Sequence, residues 1–119
     1  MPNVQGYEAK YYAVGSPAAN VLRVEINRPE KLNAFIEPMW LELGVLMNEV
    51  SHDPHYRAVL ITAAGERAFT AGLDVQAASQ SGVLAGNSGM NPARTATGVR
   101  RHIAQFQDCI SSVEKCEKP

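Results

Sequence analysis

Leu22, Val24 and Ile26 alternate with Arg23 and Glu25 along the chain. A period of two is the signature of a strand with one face buried, so residues 21–27 are predicted as a strand. Residues 7–14 read as another. Between them lie Gly15, Ser16, Pro17, Ala18, Ala19 and Asn20, mostly turn formers, and the two strands are expected to pair as an antiparallel hairpin. The run Ala58-Val59-Leu60-Ile61-Thr62-Ala63 is almost continuously apolar, the pattern of a strand covered on both faces.

Elsewhere the period lengthens to that of a helix. Met39, Leu43, Leu46, Met47 and Val50 form one apolar stripe behind Glu37-Pro38, with proline in the first turn where its missing N–H costs little. Ser51-His52-Asp53-Pro54 ends that helix. Asp74 ahead of Val75-Gln76-Ala77-Ala78-Ser79 fits an N-cap and a short helix. Residues 80–90 are rich in Gly, Ser, Asn and Ala and read as a mobile loop. Asn91-Pro92 then starts a second long helix with its stripe on Val99, Ile103, Phe106, Ile110 and Val113. Gly98 weakens it by about 1 kcal/mol relative to alanine, so its ordered part is expected to begin after that residue. The elements specify an α/β chain, residues 1–119 forming one unit without internal repeat or second domain.

Composition narrows the function. With 45% hydrophobic and 19% charged residues in 119, the chain has the make-up of a globular domain and enough apolar material for a core. A net charge of −1 gives no general attraction to nucleic acid or to an anionic membrane. No stretch approaches the roughly 20 apolar residues that cross a bilayer. Cys109 and Cys116 lie too far apart along one helix to bridge, which points to reduced thiols and an intracellular location. The first residues show no secretory or mitochondrial leader pattern, and Cys116-Glu117-Lys118-Pro119 is not a peroxisomal tripeptide.

Candidate chemistry concentrates in Phe69-Thr70-Ala71-Gly72-Leu73-Asp74-Val75. Ala71 and Gly72 leave the backbone open to a ligand, and such a turn can present peptide N–H groups to an oxygen, as an oxyanion hole does. Spacing alone reads more simply as a strand-to-helix turn without a ligand, with Asp74 as cap rather than catalytic group. Upstream, Arg28-Pro29-Glu30-Lys31-Leu32-Asn33-Ala34-Phe35 is a loop, since Pro29 lacks an N–H and restricts Arg28 before it. His52 and His55 sit in a proline-broken turn without a third ligand, so no metal site is expected. His102, beside Arg100 and Arg101, reads as an exposed helix residue rather than a base.

Taken in order, the loop at residues 28–35, the helix, the strand ending Ile61-Thr62-Ala63-Ala64-Gly65 and the motif Ala68-Phe69-Thr70-Ala71-Gly72-Leu73-Asp74-Val75 resemble the amino-terminal half of the crotonase (enoyl-CoA hydratase/isomerase) superfamily. The Phe-Thr-Ala-Gly-Leu-Asp-Val form is most similar to its Δ(3,5)-Δ(2,4)-dienoyl-CoA isomerase branch. The resemblance implies a crotonase-like ββα spiral fold, here incomplete, with a hairpin, a buried strand and two main helices. It also implies an acyl-CoA substrate, no metal or redox cofactor, and an enolate-like oxyanion held by two peptide N–H groups, the first being that of Ala71. Gly72, Leu73, Asp74 and Val75 would line the thioester and adenine side. Arg28 and Lys31 would meet phosphates, and the backbone of Leu32 and Ala34 would line the adenine and pantetheine path.

By the same resemblance, the second oxyanion donor and the catalytic carboxylates belong to chain beyond residue 119, trimers or hexamers are expected of the full-length protein, and the organelle is a peroxisome or mitochondrion. The reaction implied is conversion of 3,5-dienoyl-CoA to 2,4-dienoyl-CoA in fatty-acid β-oxidation. Enoyl-CoA hydration, and a non-catalytic chain that binds acyl-CoA or joins an oligomer, remain the alternatives, as does an interaction module unrelated to CoA. In isolation the helix stripes at residues 39–50 and 99–113 are expected to be partly uncovered and the chain to be marginally stable or self-associating.

Overall fold

The computed structural model describes residues 6–80 and 91–119. Its strands are β1 (Tyr12–Ala18), β2 (Val21–Ile26) and β3 (Ala58–Ala63), and its helices α1 (Glu37–Ser51), α2 (Val75–Gln80) and α3 (Pro92–Lys115). The expected mobile loop falls largely on residues 81–90, outside the described residues.

The sheet has the order β1-β2-β3. The first pair is antiparallel, with Tyr12 opposite Ile26 and Val14 opposite Val24, as the hairpin pattern predicts. Its boundaries differ from those expected. β1 begins at Tyr12 and runs on through Gly15, Ser16 and Pro17, leaving Ala19-Asn20 as the turn. Asn20 supplies the turn's left-handed backbone, φ 64°, a conformation asparagine tolerates. A register shift between Gly15 and Ala18 absorbs the irregular segment as a bulge. Pro17 is admissible because β1 is an edge strand.

β2 and β3 pair in parallel, from Val21 opposite Ala58 to Ile26 opposite Ala63. Parallel neighbours need a long crossover, and α1 is that crossover. One face of β2 carries Leu22, Val24 and Ile26, all buried against α1's Met39, Leu43, Leu46, Met47 and Val50. Each such side chain, fully buried, contributes about 1.5–3 kcal/mol. The α1 stripe is thus fully covered, contrary to expectation. Trp40, one position off the stripe, is buried as well. Tyr12 fastens the sheet to the helix by donating its hydroxyl to the Met39 carbonyl at 2.8 Å.

β3 is covered less than its apolar run suggests, with Leu60 48% exposed. Along its edge, Val59 N–H donates to the Pro119 carbonyl at 2.9 Å, so the segment after α3 lies beside the strand. Glu117 N–H also donates to Ser51 Oγ.

α3 is continuous through Gly98. Asn91 caps it by accepting from Ala93 N–H at 2.8 Å, and a capped 24-residue helix tolerates one glycine's cost of about 1 kcal/mol. It packs on α1 through a stripe rotated from the one expected: His102, Phe106 and Cys109 are half-buried, whereas Ile103, Ile110 and Val113 are exposed. Trp40 meets Phe106, Gly44 meets Cys109 and Ser51 meets Glu117; these pairs ascend together, so the two helices run in the same direction. No helix of the described residues is long and apolar enough to cross a membrane.

Candidate functional site

The loop after β2 and the turn after β3 are knitted into one unit. Residues Pro29–Lys31 make a single 3-10 turn. Leu32 and Asn33 then follow in left-handed backbone, φ 54° and 57°, which reverses the chain toward α1. Two successive non-glycine residues in this region are costly unless the surroundings hold them, and they are held. Asn33, 1% exposed, accepts from Arg28 N–H at 2.9 Å through Oδ1. Its Nδ2 donates to the carbonyls of Ala64 at 2.9 Å and Ala68 at 3.0 Å. One side chain therefore locks the loop to both ends of the turn that leaves β3.

Thr70 continues the lacing. Its hydroxyl donates to the Asn33 carbonyl at 2.7 Å and accepts from Gly72 N–H at 3.1 Å. Phe35 N–H donates to the Gly72 carbonyl at 2.7 Å, and Asp74 N–H to the Phe35 carbonyl at 2.8 Å. Phe35 and Leu73 thus face each other as a single parallel bridge. In such a bridge the middle residue turns its own N–H to the opposite side. Leu73 N–H makes no hydrogen bond among the described residues. Gly72 permits this arrangement with φ 85°, a value that favours glycine.

Ala71 does not offer the free donor expected of it, because its N–H is engaged by the Leu32 carbonyl at 3.0 Å. Arg28 faces inward too. Its Nη1 donates to the Ala34 carbonyl and to Asp74 Oδ2, both at 2.9 Å, with both charged side chains largely shielded. Asp74 caps α2 as expected, accepting from Ala77 N–H through Oδ1 at 3.0 Å. That hydrogen bond, and after it the one from Arg28, holds the Asp74 carboxyl below its ordinary range. Lys31, Leu32 and Val75 are exposed, and Ala34 is buried with its backbone engaged internally.

Beside Leu73 the structure opens into a mainly apolar cleft of about 120 Å³. One wall is Leu73, Asp74 and Ala77; the others are Phe35, Ile36, Glu37 and Trp40 from the start of α1 and His102, Ile103 and Phe106 from α3. The lining suits an apolar group oriented by a few polar ones. His102 is accordingly no bystander on an exposed face: its ring stands edge-on to Trp40, centroids 5.5 Å apart at 74°. The other histidines make local bonds, His52 Nδ1 to the Asn48 carbonyl and His55 Nδ1 to Asp53 Oδ1.

Sequence reasoning passed over Asn33 and Trp40. For Asn33 a signal existed, since asparagine in a loop is the commonest non-glycine carrier of left-handed backbone. For Trp40 there was none, because its role depends on where α3 lands.

Comparison with known proteins agrees with this geometry. The profile of the enoyl-CoA hydratase/isomerase family matches residues 21–115. The mitochondrial Δ(3,5)-Δ(2,4)-dienoyl-CoA isomerase of Mus musculus is 38% identical over 106 residues, 89% of this chain and 32% of that protein. The short-chain-enoyl-CoA hydratase of Clostridium acetobutylicum is 35% identical over 63 residues, 53% of this chain and 24% of that protein. Among solved structures, an enoyl-CoA hydratase/carnithine racemase from Magnetospirillum magneticum superposes with a TM-score of 0.76 at 20% identity, covering 98% of this chain and 39% of its own. The chain spans about a third of the length of the dienoyl-CoA isomerases it matches. With the crotonase fold and both loop motifs in place, it belongs to the enoyl-CoA hydratase/isomerase family.

Proposed function

We propose that residues 1–119 are the thioester-binding, amino-terminal part of a single crotonase-like domain acting as an acyl-CoA isomerase. The carrying observation is the Leu73 N–H, without a partner among the described residues and lying beside an apolar cleft, with the backbone on both sides of it held by hydrogen bonds to Phe35. In this reading Leu73, rather than Ala71, gives the first peptide donor to the thioester oxygen. A pre-aimed donor of this kind is commonly worth about 3–4 kcal/mol of barrier. Ala71, Gly72, Asp74 and Arg28 hold the donor's geometry. Exposed Lys31 meets the phosphates of CoA, and Leu32 and Val75 flank its adenine and pantetheine. The cleft takes the acyl chain.

The reaction proposed for the whole protein is isomerisation of 3,5-dienoyl-CoA to 2,4-dienoyl-CoA, in a mitochondrion, without a cofactor; similarity to the mitochondrial dienoyl-CoA isomerases supports it. The peptide donor at Leu73 stabilises an enolate-like oxyanion whichever carbon then gains or loses a proton. Hydration of an enoyl-CoA uses the same grip and is the second reading, favoured by the match to a short-chain-enoyl-CoA hydratase.

Amide resonances of the labelled chain test the binding reading. Titration with octanoyl-CoA should move the Leu73 amide, and free CoA should leave it in place while perturbing Lys31. An octanoyl-CoA complex in which Leu73 is unmoved, or absence of any complex, would overturn it.

A further inference from the structure

Trp40 is the chain's single tryptophan, it is only 2% exposed, and it forms part of the same cleft that Leu73 lines. The two helices approach the cleft with matching triplets: Ile36, Glu37 and Trp40 at the N-cap and first turn of α1, and His102, Ile103 and Phe106 on α3. At this spacing each triplet occupies one helix face. The indole is wedged by two edge-on rings, His102 at 5.5 Å and 74° and Phe106 at 5.4 Å and 88°. Beyond it the helices close together, since a Cβ added at Gly44 would stand 3.1 Å from Cys109 Sγ.

Among the described residues the indole thus stands between the cleft and the closely packed part of the α1/α3 seam. We infer that Trp40 is the end wall of the acyl compartment and the residue that sets the longest acyl group accepted; this rests on the thioester being held at Leu73. His102 and Phe106 act as positioning residues that keep the ring from turning aside. A wall so packed discriminates by exclusion, and one methylene beyond the limit lowers affinity about 10-fold or more. Ala77, on the opposite wall, sets the width.

The 119-residue chain is titrated with free CoA and straight-chain esters from acetyl-CoA to dodecanoyl-CoA, affinity being read by calorimetry and contact with the wall by Trp40 emission. Affinity should rise with chain length to a limit and then fall about tenfold per added methylene. Emission should ignore CoA and acetyl-CoA and shift for esters near the limit. Trp40→Phe should move the limit to longer chains and Ala77→Leu to shorter ones. Should Trp40→Phe fail to fold, Ala77→Leu and the wild-type emission series decide the matter. A limit unchanged in every folded variant, or emission that responds equally to CoA and all esters, would overturn the inference and leave the thioester site standing. If no ester binds, both fall.

Discussion

Arg28 Nη1 and Asp74 Oδ2 meet at 2.9 Å across 46 residues of chain, joining the loop after β2 to the start of α2. The pair locks the backbone on both sides of Leu73, because Arg28 also holds the Ala34 carbonyl and Asp74 also caps Ala77. Asp74's carboxyl sits below its ordinary value, first through Ala77 N–H and next through Arg28. A carboxylate depressed in the folded state contributes stability that is complete above its unfolded value, about 3.9, and is lost as pH falls through the folded value. Asp74→Asn keeps the cap and removes the charge. Its urea midpoint should lie below wild type at about pH 6, and the gap should close toward about pH 3. A gap that persists in acid would show that the Asp74 charge is not its source.

Asn33 carries the heaviest single burden in the site. Asn33→Ala leaves Arg28 N–H and the carbonyls of Ala64 and Ala68 without their partner and replaces a residue that tolerates φ 57° with one that does so less readily. Unsatisfied buried groups cost about 1–3 kcal/mol each in the worst case, and left-handed backbone about 1–2 kcal/mol. A loss of about 3 kcal/mol is expected by denaturant unfolding. Asn33→Gly restores the backbone but not the hydrogen bonds, and should recover about 1 kcal/mol of it.

The sequence carried those parts of the fold that repeat locally. The period-2 strand at Leu22, Val24 and Ile26 and the α1 stripe are buried as their spacing requires, because each pattern is written on one face of one element. The Asn91 and Asp74 caps were legible for the same reason. What failed was relational. The face α3 turns inward is chosen by Trp40 and Gly44 on another helix, so the most apolar stripe was the wrong guide. Arg28 looked like a phosphate ligand because no local rule shows that Asp74 returns to meet it. Ala71 looked like the donor until its N–H was seen to be bound by Leu32. The motif marks the turn; only the hydrogen bonds between distant segments tell its N–H groups apart.

Gly72 has φ 85°, yet a Cβ there would touch nothing within 4 Å. Gly72→Ala should therefore act through backbone strain rather than clash, costing about 1–2 kcal/mol. The strain falls on the peptide that aims Leu73 N–H. Acyl-CoA affinity should drop more than affinity for free CoA, a difference read by calorimetry on both ligands.

The α1/α3 contact tests how tightly the cleft's far end is set. Gly44→Ala should gain up to about 1 kcal/mol of helix propensity, but its Cβ would stand 3.1 Å from Cys109 Sγ. In wild type the two effects should nearly cancel. With Cys109→Ala the obstruction goes, and Gly44→Ala should then stabilise by about 0.5–1 kcal/mol relative to Cys109→Ala alone. A double-mutant cycle measures the coupling. Additive substitutions would mean that the helices do not touch there in solution.

Ile103, Ile110 and Val113 leave an exposed apolar row along α3, 44%, 37% and 40% accessible. Contiguous apolar surface of this kind drives association, and the α1 stripe is not available for it because that stripe is already buried. The isolated chain should sediment as a concentration-dependent mixture of monomer and larger species. Ile110→Glu with Val113→Lys should shift it toward monomer without lowering its melting temperature by more than a few degrees, since neither side chain is buried in the core. Ile103 is left unchanged because it lines the cleft. Association that survives the double substitution would move the contact to another exposed apolar group, such as Val45, Phe69, Val75 or Leu60.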